Sequence, residues 1–128
     1  PTAGTDGQVV YYNPEFLAGL SVEEQVFVMT HEVCHIAFNH ILRSEGKDPN
    51  TWNIATDAVI NQFLVKDGLK MIKGGVDIAE AINYNAEDLY DKLMKENNIL
   101  KEINQKNIIK ERKYREMSKD NKKKSQKS

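Results

Sequence analysis

Ser21-Val22-Glu23-Glu24-Gln25-Val26-Phe27-Val28-Met29-Thr30-His31-Glu32-Val33-Cys34-His35 is the stretch on which the reading of this chain turns. Ser21, followed three residues later by Glu24, forms a capping box, the reciprocal pair that opens a helix. Behind it Val26, Met29, Val33, Ile36, Ala37 and Ile41 recur at helical spacing, and Phe27 and Val28 widen the apolar stripe. The pattern predicts a long, largely buried helix running to about Arg43, before Gly46. On that helix His31 and His35 share a face, with Cβ atoms about 5–6 Å apart. Two imidazoles so placed can reach one Zn²⁺ at roughly 2.0–2.1 Å.

Glu32 follows the first histidine, so its carboxylate stands beside the metal rather than on it. There it can take a proton from the attacking water and hand it to a leaving amine. This is the H-E-x-x-H pattern. A chain with 3 His and 11 Glu in 128 residues yields about 0.006 such patterns by chance, so the motif is read as signal.

A catalytic site of this kind needs a third protein ligand and an open position. Asp57 is the better candidate. It lies in Trp52-Asn53-Ile54-Ala55-Thr56-Asp57-Ala58-Val59-Ile60-Asn61, where Asn53, Asp57 and Asn61 form a polar stripe on an otherwise apolar helix. A buried carboxylate is costly unless it is paired or metal-bound. If the stripe faces His31 and His35, Asp57 completes the site and the two asparagines orient it; otherwise Asp57 orients a ligand histidine from outside or faces solvent. His40, nine residues after His31, stands about 180° round an ideal helix. It joins the metal only if the helix breaks before it, and otherwise is a surface or outer-sphere histidine. Cys34 points about 100° away from the His35 face and reads as a small core residue. Trp52 reads as core.

Outward from these helices the chain is punctuated by turns and caps. Thr5-Asp6-Gly7 is a turn, and Gln8 to Tyr12 (QVVYY) reads as a short strand. Asn13-Pro14-Glu15 starts a short helix that ends near Gly19. Asp48-Pro49-Asn50 is a turn before a helix from about Thr51 to Val65. Leu69 to Gly75 is a strand or a loop. Asn85 caps a further helix from Ala86 to about Glu96. Beyond it Ile99, Leu100, Ile103, Ile108 and Ile109 give a weak helical pattern to about Met117, and the last ten residues are expected to be disordered. A strand edge near the metal helix can bind an extended peptide. Tyr11 and Tyr12 are read as packing and surface residues rather than as catalytic hydroxyls.

The composition bounds the rest. Residues 1–96 carry 7 Lys/Arg against 15 Asp/Glu, whereas residues 97–128 carry 11 against 4. An acidic domain, 1–96, is therefore followed by a basic tail, 97–128. Lys122-Lys123-Lys124 reads as a solvated run, so no nucleic-acid partner is expected. One cysteine allows no internal disulfide, which makes a reducing, cytoplasmic setting the default. No apolar run reaches membrane-span length and no signal peptide is visible. The chain opens on Pro1 rather than Met, so an upstream segment is expected.

At these residues the sequence resembles a bacterial and phage family of metallopeptidase-type domains, many of which precede a von Willebrand factor A-like domain. The similar stretches are Pro1-Thr2-Ala3-Gly4-Thr5-Asp6-Gly7, Tyr12-Asn13-Pro14-Glu15-Phe16, His31-Glu32-Val33-Cys34-His35-Ile36-Ala37 with His40, Trp52 to Asn61, and Ala86 to Leu93. They occur in the family's order over roughly residues 1–95. The resemblance implies a zincin-like fold with His31 and His35 as ligands, Glu32 as catalytic base, and the Asp57 segment as part of the signature. It also suggests an ATPase or von Willebrand factor A-type partner. Unlike longer members, this sequence shows neither a preceding N-terminal helix nor a following von Willebrand-type domain. The expected fold is therefore α+β and helix-rich, a zincin-like domain with a small sheet beside the zinc-bearing helix. The expected function is zinc-dependent hydrolysis of peptide bonds in a protein or peptide substrate. The alternative is a non-catalytic zinc-binding module acting through partners such as an ATPase complex.

Overall fold

The structure, a computed structural model, describes the backbone of residues 3–126 and the side chains of residues 3–120. Pro1, Thr2, Lys127 and Ser128, which belong to the first family-like stretch and to the predicted disordered end, lie outside the described residues.

The fold is α+β and helix-rich. Strand β1 (Ala3–Thr5) pairs antiparallel with β2 (Val10–Tyr12), Ala3 opposite Tyr12 and Thr5 opposite Val10. The sequence pattern began the second strand at Gln8. It begins later because the Asp6 carboxylate accepts from the backbone N–H groups of both Gln8 (2.9 Å) and Val9 (3.0 Å), which closes the turn. Gly7, at φ +99°, supplies the left-handed corner.

Helix α1 (Pro14–Ala18) starts as predicted. Asn13 Oδ1 accepts from Glu15 N at 3.0 Å, and Pro14 fills the first helical position. Helix α2 (Val22–Ala37) opens on the capping box: Ser21 Oγ accepts from Glu24 N at 3.2 Å, and Glu24 Oε1 from Ser21 N at 3.1 Å.

Two expectations for α2 are corrected. It ends at Ala37 instead of Arg43, and Asn39 takes the left-handed conformation (φ +57°). The amide of Asn39 then bonds Ile36 O (3.0 Å) and that of His40 bonds His35 O (3.1 Å), which is a Schellman closure. Nor is α2 largely buried. Val22, Val26 and Val33 are exposed, and the face it buries carries Phe27 and Cys34.

Helix α3 (Pro49–Lys66) is the centre of the domain. Asp48 caps it, accepting from Thr51 N at 3.0 Å, so the predicted turn is the helix start, two residues before Thr51. On one side Ile60 and Leu64 pack with Phe27 and Cys34 of α2, joined by Leu69, Met71 and Ile72 from the loop that follows. On the other side Ala55 and Ala58 meet Ala81 and Leu89. The alanines let the backbones approach closely. Each fully buried large side chain (Phe27, Ile60, Leu64, Leu89) contributes about 1.5–3 kcal/mol. Trp52 is core, as expected.

Leu69 to Gly75 is loop, and a short 3₁₀ turn (Ala79–Asn83) leads to α4 (Ala86–Gln126). Asn85 Oδ1 caps α4 through Asp88 N at 2.8 Å. The compact unit takes in the chain up to Leu93, and residues 94–128 form a second unit. That second unit is helical to Gln126, where the sequence suggested a first helix to about Glu96, a weak helical pattern on to about Met117 and no order in the last ten residues. No Gly or Pro interrupts residues 86–126, and Lys, Glu, Gln and Leu favour helix throughout. Among the described residues no helix is long and apolar enough to cross a membrane.

Candidate metal centre

One turn of α2 separates His31 from His35, and α3 brings Asp57 against both. His31 Nε2 and His35 Nε2 lie 3.0 Å apart, and each lies 3.0 Å from Asp57 Oδ1. Three donor atoms thus form a triangle of equal sides. Both histidine side chains are largely buried, and Asp57 is about one-third exposed. Three lone pairs converging there repel one another unless a metal cation or protons on the imidazoles lie between them. His31, His35 and Asp57 can hold a metal ion.

The outer contacts of the two imidazoles set which nitrogen faces the triangle. Asn61, 2 % exposed, donates through Nδ2 to Val76 O at 3.0 Å, which fixes the orientation of its amide. Its Oδ1 therefore faces His31 Nδ1, at 2.7 Å, and can only accept. His31 Nδ1 therefore carries a proton; in the neutral imidazole this leaves the Nε2 lone pair turned inward, and in the imidazolium Nε2–H donates to Asp57. The stripe on α3 was expected to orient Asp57; in fact Asn61 orients His31. Asn53 is exposed, and its side chain makes no hydrogen bond among the described residues.

His40 does not join the triangle. Because α2 breaks at Asn39, His40 folds back beneath His35, with Nδ1 3.1 Å from His35 Nδ1. It is 3 % exposed, and Trp52 Nε1 donates to its carbonyl at 2.9 Å. His35 Nδ1–H donates to His40 Nδ1 when His35 turns its Nε2 lone pair to a metal. Each of the two histidines thus has its own buried partner. Arg43 straps this turn down, bonding Phe38 O and gripping the Glu87 carboxylate through two nitrogens at 2.6–2.7 Å.

Charge follows the geometry. Burial alone would raise the Asp57 carboxyl, but hydrogen bonds from His31 and His35 and their charge outweigh it and hold the group at about 2. Burial works to lower His31, yet Asp57 and the Asn61 contact carry it above its ordinary value. Burial pushes His40 down to about 4, helped by the positive charge of His35 and Arg43. Asp57 is therefore an anion and His40 a neutral acceptor across the physiological range.

Glu32 is half-buried and lines a cleft of about 270 Å³ together with His31 and Asp57. Ala3, Phe16, Phe27, Val28, Asn61 and the loop Ile72–Val76 form the rest of its wall. Sequence reasoning left that loop unassigned, although Gly74-Gly75 was a visible signal of unusual backbone. Of the expected strand, neither tyrosine reaches the cleft. Tyr11 donates its hydroxyl to Asp6 at 3.0 Å, and both are more than half exposed.

A helix-rich α+β domain in which two histidines and a carboxylate converge from two helices beside an open cleft is a candidate metal-binding domain. The comparisons agree with that class. The chain belongs to the family described as "Putative metallopeptidase domain", which it matches over residues 1–128. An uncharacterized protein of Thermotoga maritima is 35% identical over 63 residues, covering 47% of this chain and 16% of that protein. The chain thus aligns with less than a fifth of that relative's length. No solved structure matches.

Proposed function

We propose that this domain is a zinc-dependent peptidase in which Glu32 is the general base. The observation that carries the reading is the 3.0 Å triangle of His31, His35 and Asp57 opening onto the same cleft as Glu32. Donors at about 2.0–2.1 Å from a tetrahedral zinc stand about 3.3 Å apart, so the observed triangle needs to open by only a few tenths of an ångström. Two imidazoles and one carboxylate are the donor set of many zinc hydrolases, with the fourth position left for chemistry. When bound, zinc supplies a Lewis acid for the scissile carbonyl and makes water more acidic.

The protein's own groups do the remainder. Asp57 keeps its negative charge on the metal side of the cleft. Asn61 and His40 hold the two imidazoles in the tautomer that faces inward. Glu32 makes no hydrogen bond among the described residues, so its carboxylate is available to take a proton from water and return it to the leaving amine. β1, whose Ala3 lines the cleft, has one edge not used by β2. An extended peptide can pair there through its backbone, which moves the substrate edge from the predicted Gln8–Tyr12 strand to β1.

The test is metal content and hydrolysis of the parent beside Glu32→Gln. The expected result is one zinc per chain in both proteins and peptide cleavage only in the parent. Equal cleavage by both would remove Glu32 from the mechanism, and absence of zinc after reconstitution would remove the metal.

A further inference from the structure

We propose that Lys73 binds a substrate carboxylate, so that the domain takes peptides with an acidic side chain or a chain-terminal carboxylate close to the scissile bond. This rests on the peptidase reading and adds to it a substrate class.

The charges of the cleft single out this residue. Glu32, Asp57 and Lys73 line it beside His31. Asp57 is engaged by both histidines, and Glu32 stands next to the metal triangle as the base. Together these two carboxylates balance the charge of a divalent metal held there. Lys73 is then the charge left over, and nothing in the protein answers it. Among the described residues it makes no hydrogen bond or ion pair. Asp77, four residues on, is engaged elsewhere, accepting from Gln62 Nε2 at 2.7 Å.

The backbone sets Lys73 at the cleft before any substrate arrives. Gly75 N bonds Ile72 O at 3.1 Å, so Lys73 and Gly74 are the two corner residues of a β-turn. Gly74 takes φ +83° and Lys73 does not share the positive φ, which is the pattern of a type II turn. Both ends of the turn are fixed. Ile72 packs on the core beside Phe27 and Ile60, and Asn61 Nδ2 ties Val76 O at 3.0 Å. A Cβ on Gly75 would stand 3.1 Å from Ile72 Cγ2, so the turn closes tightly on its own first residue. Binding through a preset corner orders only the lysine side chain. An ammonium is a compact charge with three donors, so it reads a carboxylate without regard to the group that carries it.

The experiment uses the zinc-loaded full chain and hydroxamate peptides, whose metal-binding group fixes where each probe sits. Three probes carry a carboxylate: on the side chain before the hydroxamate, on the side chain after it, or at the chain end beyond it. Each has a carboxamide twin of the same shape, and calorimetry reads every affinity. The expected result is that at least one carboxylate probe binds about 5–50-fold more tightly than its twin, and less so as salt is raised. Lys73→Met is expected to erase that advantage, Lys73→Arg to keep it, and Lys73→Glu to reverse it. Lys73 is exposed, and the zinc content and melting temperature of each variant check that only the charge has changed. The favoured probe names the source. A side-chain carboxylate marks cleavage beside an acidic residue, and a terminal one marks trimming from the chain end. Equal binding within every pair, or an advantage that survives Lys73→Met, overturns the role of Lys73 while leaving the metal reading intact. Failure of every probe to bind overturns the peptidase reading and this inference with it.

Discussion

Asn61 bonds His31 and the cleft loop at once: its Oδ1 accepts from His31 Nδ1 at 2.7 Å, while its Nδ2 donates to Val76 O at 3.0 Å. One buried amide therefore sets which nitrogen of His31 faces the candidate metal triangle and anchors a wall of the adjoining cleft. Such outer partners of ligand histidines are worth about 10–100-fold in metal affinity. Asn61→Leu is expected to weaken zinc binding by that factor and to lower stability by about 1–3 kcal/mol, because buried partners lose their bonds. Asn61→Asp keeps an acceptor for His31 but loses the donor to Val76. It should retain more of the zinc affinity than Asn61→Leu, yet increase hydrogen exchange in residues 72–76. Competition with a chromophoric chelator and exchange mass spectrometry read the two effects separately. If Asn61→Leu binds zinc as tightly as the parent, the tautomer argument fails.

His40 stands in the same relation to His35, and its variants separate positioning from packing. Asn offers an acceptor close to where His40 Nδ1 lies, whereas Leu fills the space without one. His40→Leu should lose about 10–100-fold in zinc affinity, and His40→Asn should recover most of it. The melting temperature of the metal-free proteins checks that packing is not the cause. Should the Leu and Asn variants bind zinc equally, His40 is only a core residue.

Much of this site was legible because it rests on local rules. The capping box at Ser21 and Glu24, the Asn13-Pro14 start and the i, i+4 pair of His31 and His35 all lie within one or two helical turns. Asp57 was legible from a polar stripe on an apolar helix, though the stripe did not show that Asn61 would serve His31. The features that escaped depend on distant contacts or on rare backbone states. Ala3-Gly4-Thr5 has no strand pattern of its own and is extended because β2 pairs with it. The apolar residues from Ile36 to Ile41 continue the helical spacing, while the chain leaves the helix at a single left-handed Asn39. The buried face of α2 runs through Phe27 and Cys34, a narrower stripe than the one its valines trace. The wall at Ile72–Val76 is placed by Asn61 and the core, which no local signal encodes.

The metal-free protein should show a stability maximum near the ordinary histidine value of 6.5. The folded state raises His31 above that value, so its contribution is complete below 6.5 and is lost as pH rises through the raised value. It depresses His40 to about 4, so the contribution from its neutral form is present above 6.5 and is lost as pH falls from 6.5 toward 4. Asp57, held at about 2 against an ordinary 3.8, adds to the acid limb only as pH falls below about 5. Zinc reverses the upper limb, since protons compete with metal for His31. Melting temperatures from pH 4 to 9, with chelator and with zinc, test both statements. A metal-free profile that keeps rising from pH 6.5 to 8 would contradict the His31 assignment.

Asn39 decides where His40 goes. On a continued helix His40 would stand about 180° from His31, far from the metal. At φ +57°, Asn39 instead closes α2 and turns His40 under His35. Glycine takes this conformation without strain and asparagine at small cost, whereas a β-branched residue meets its own carbonyl there, at about 1–2 kcal/mol. Asn39→Gly should therefore match the parent in melting temperature and zinc affinity. Asn39→Val should lower stability by about that amount and also weaken zinc binding, because relaxing the turn withdraws the acceptor from His35. The double variant Asn39→Val with His40→Leu then isolates the route. If the turn acts on the metal only through His40, adding Asn39→Val to His40→Leu costs stability again but takes little further zinc affinity. Full additivity in zinc affinity would show instead that the turn positions His35 through the backbone, by way of the bond from the His40 amide to His35 O.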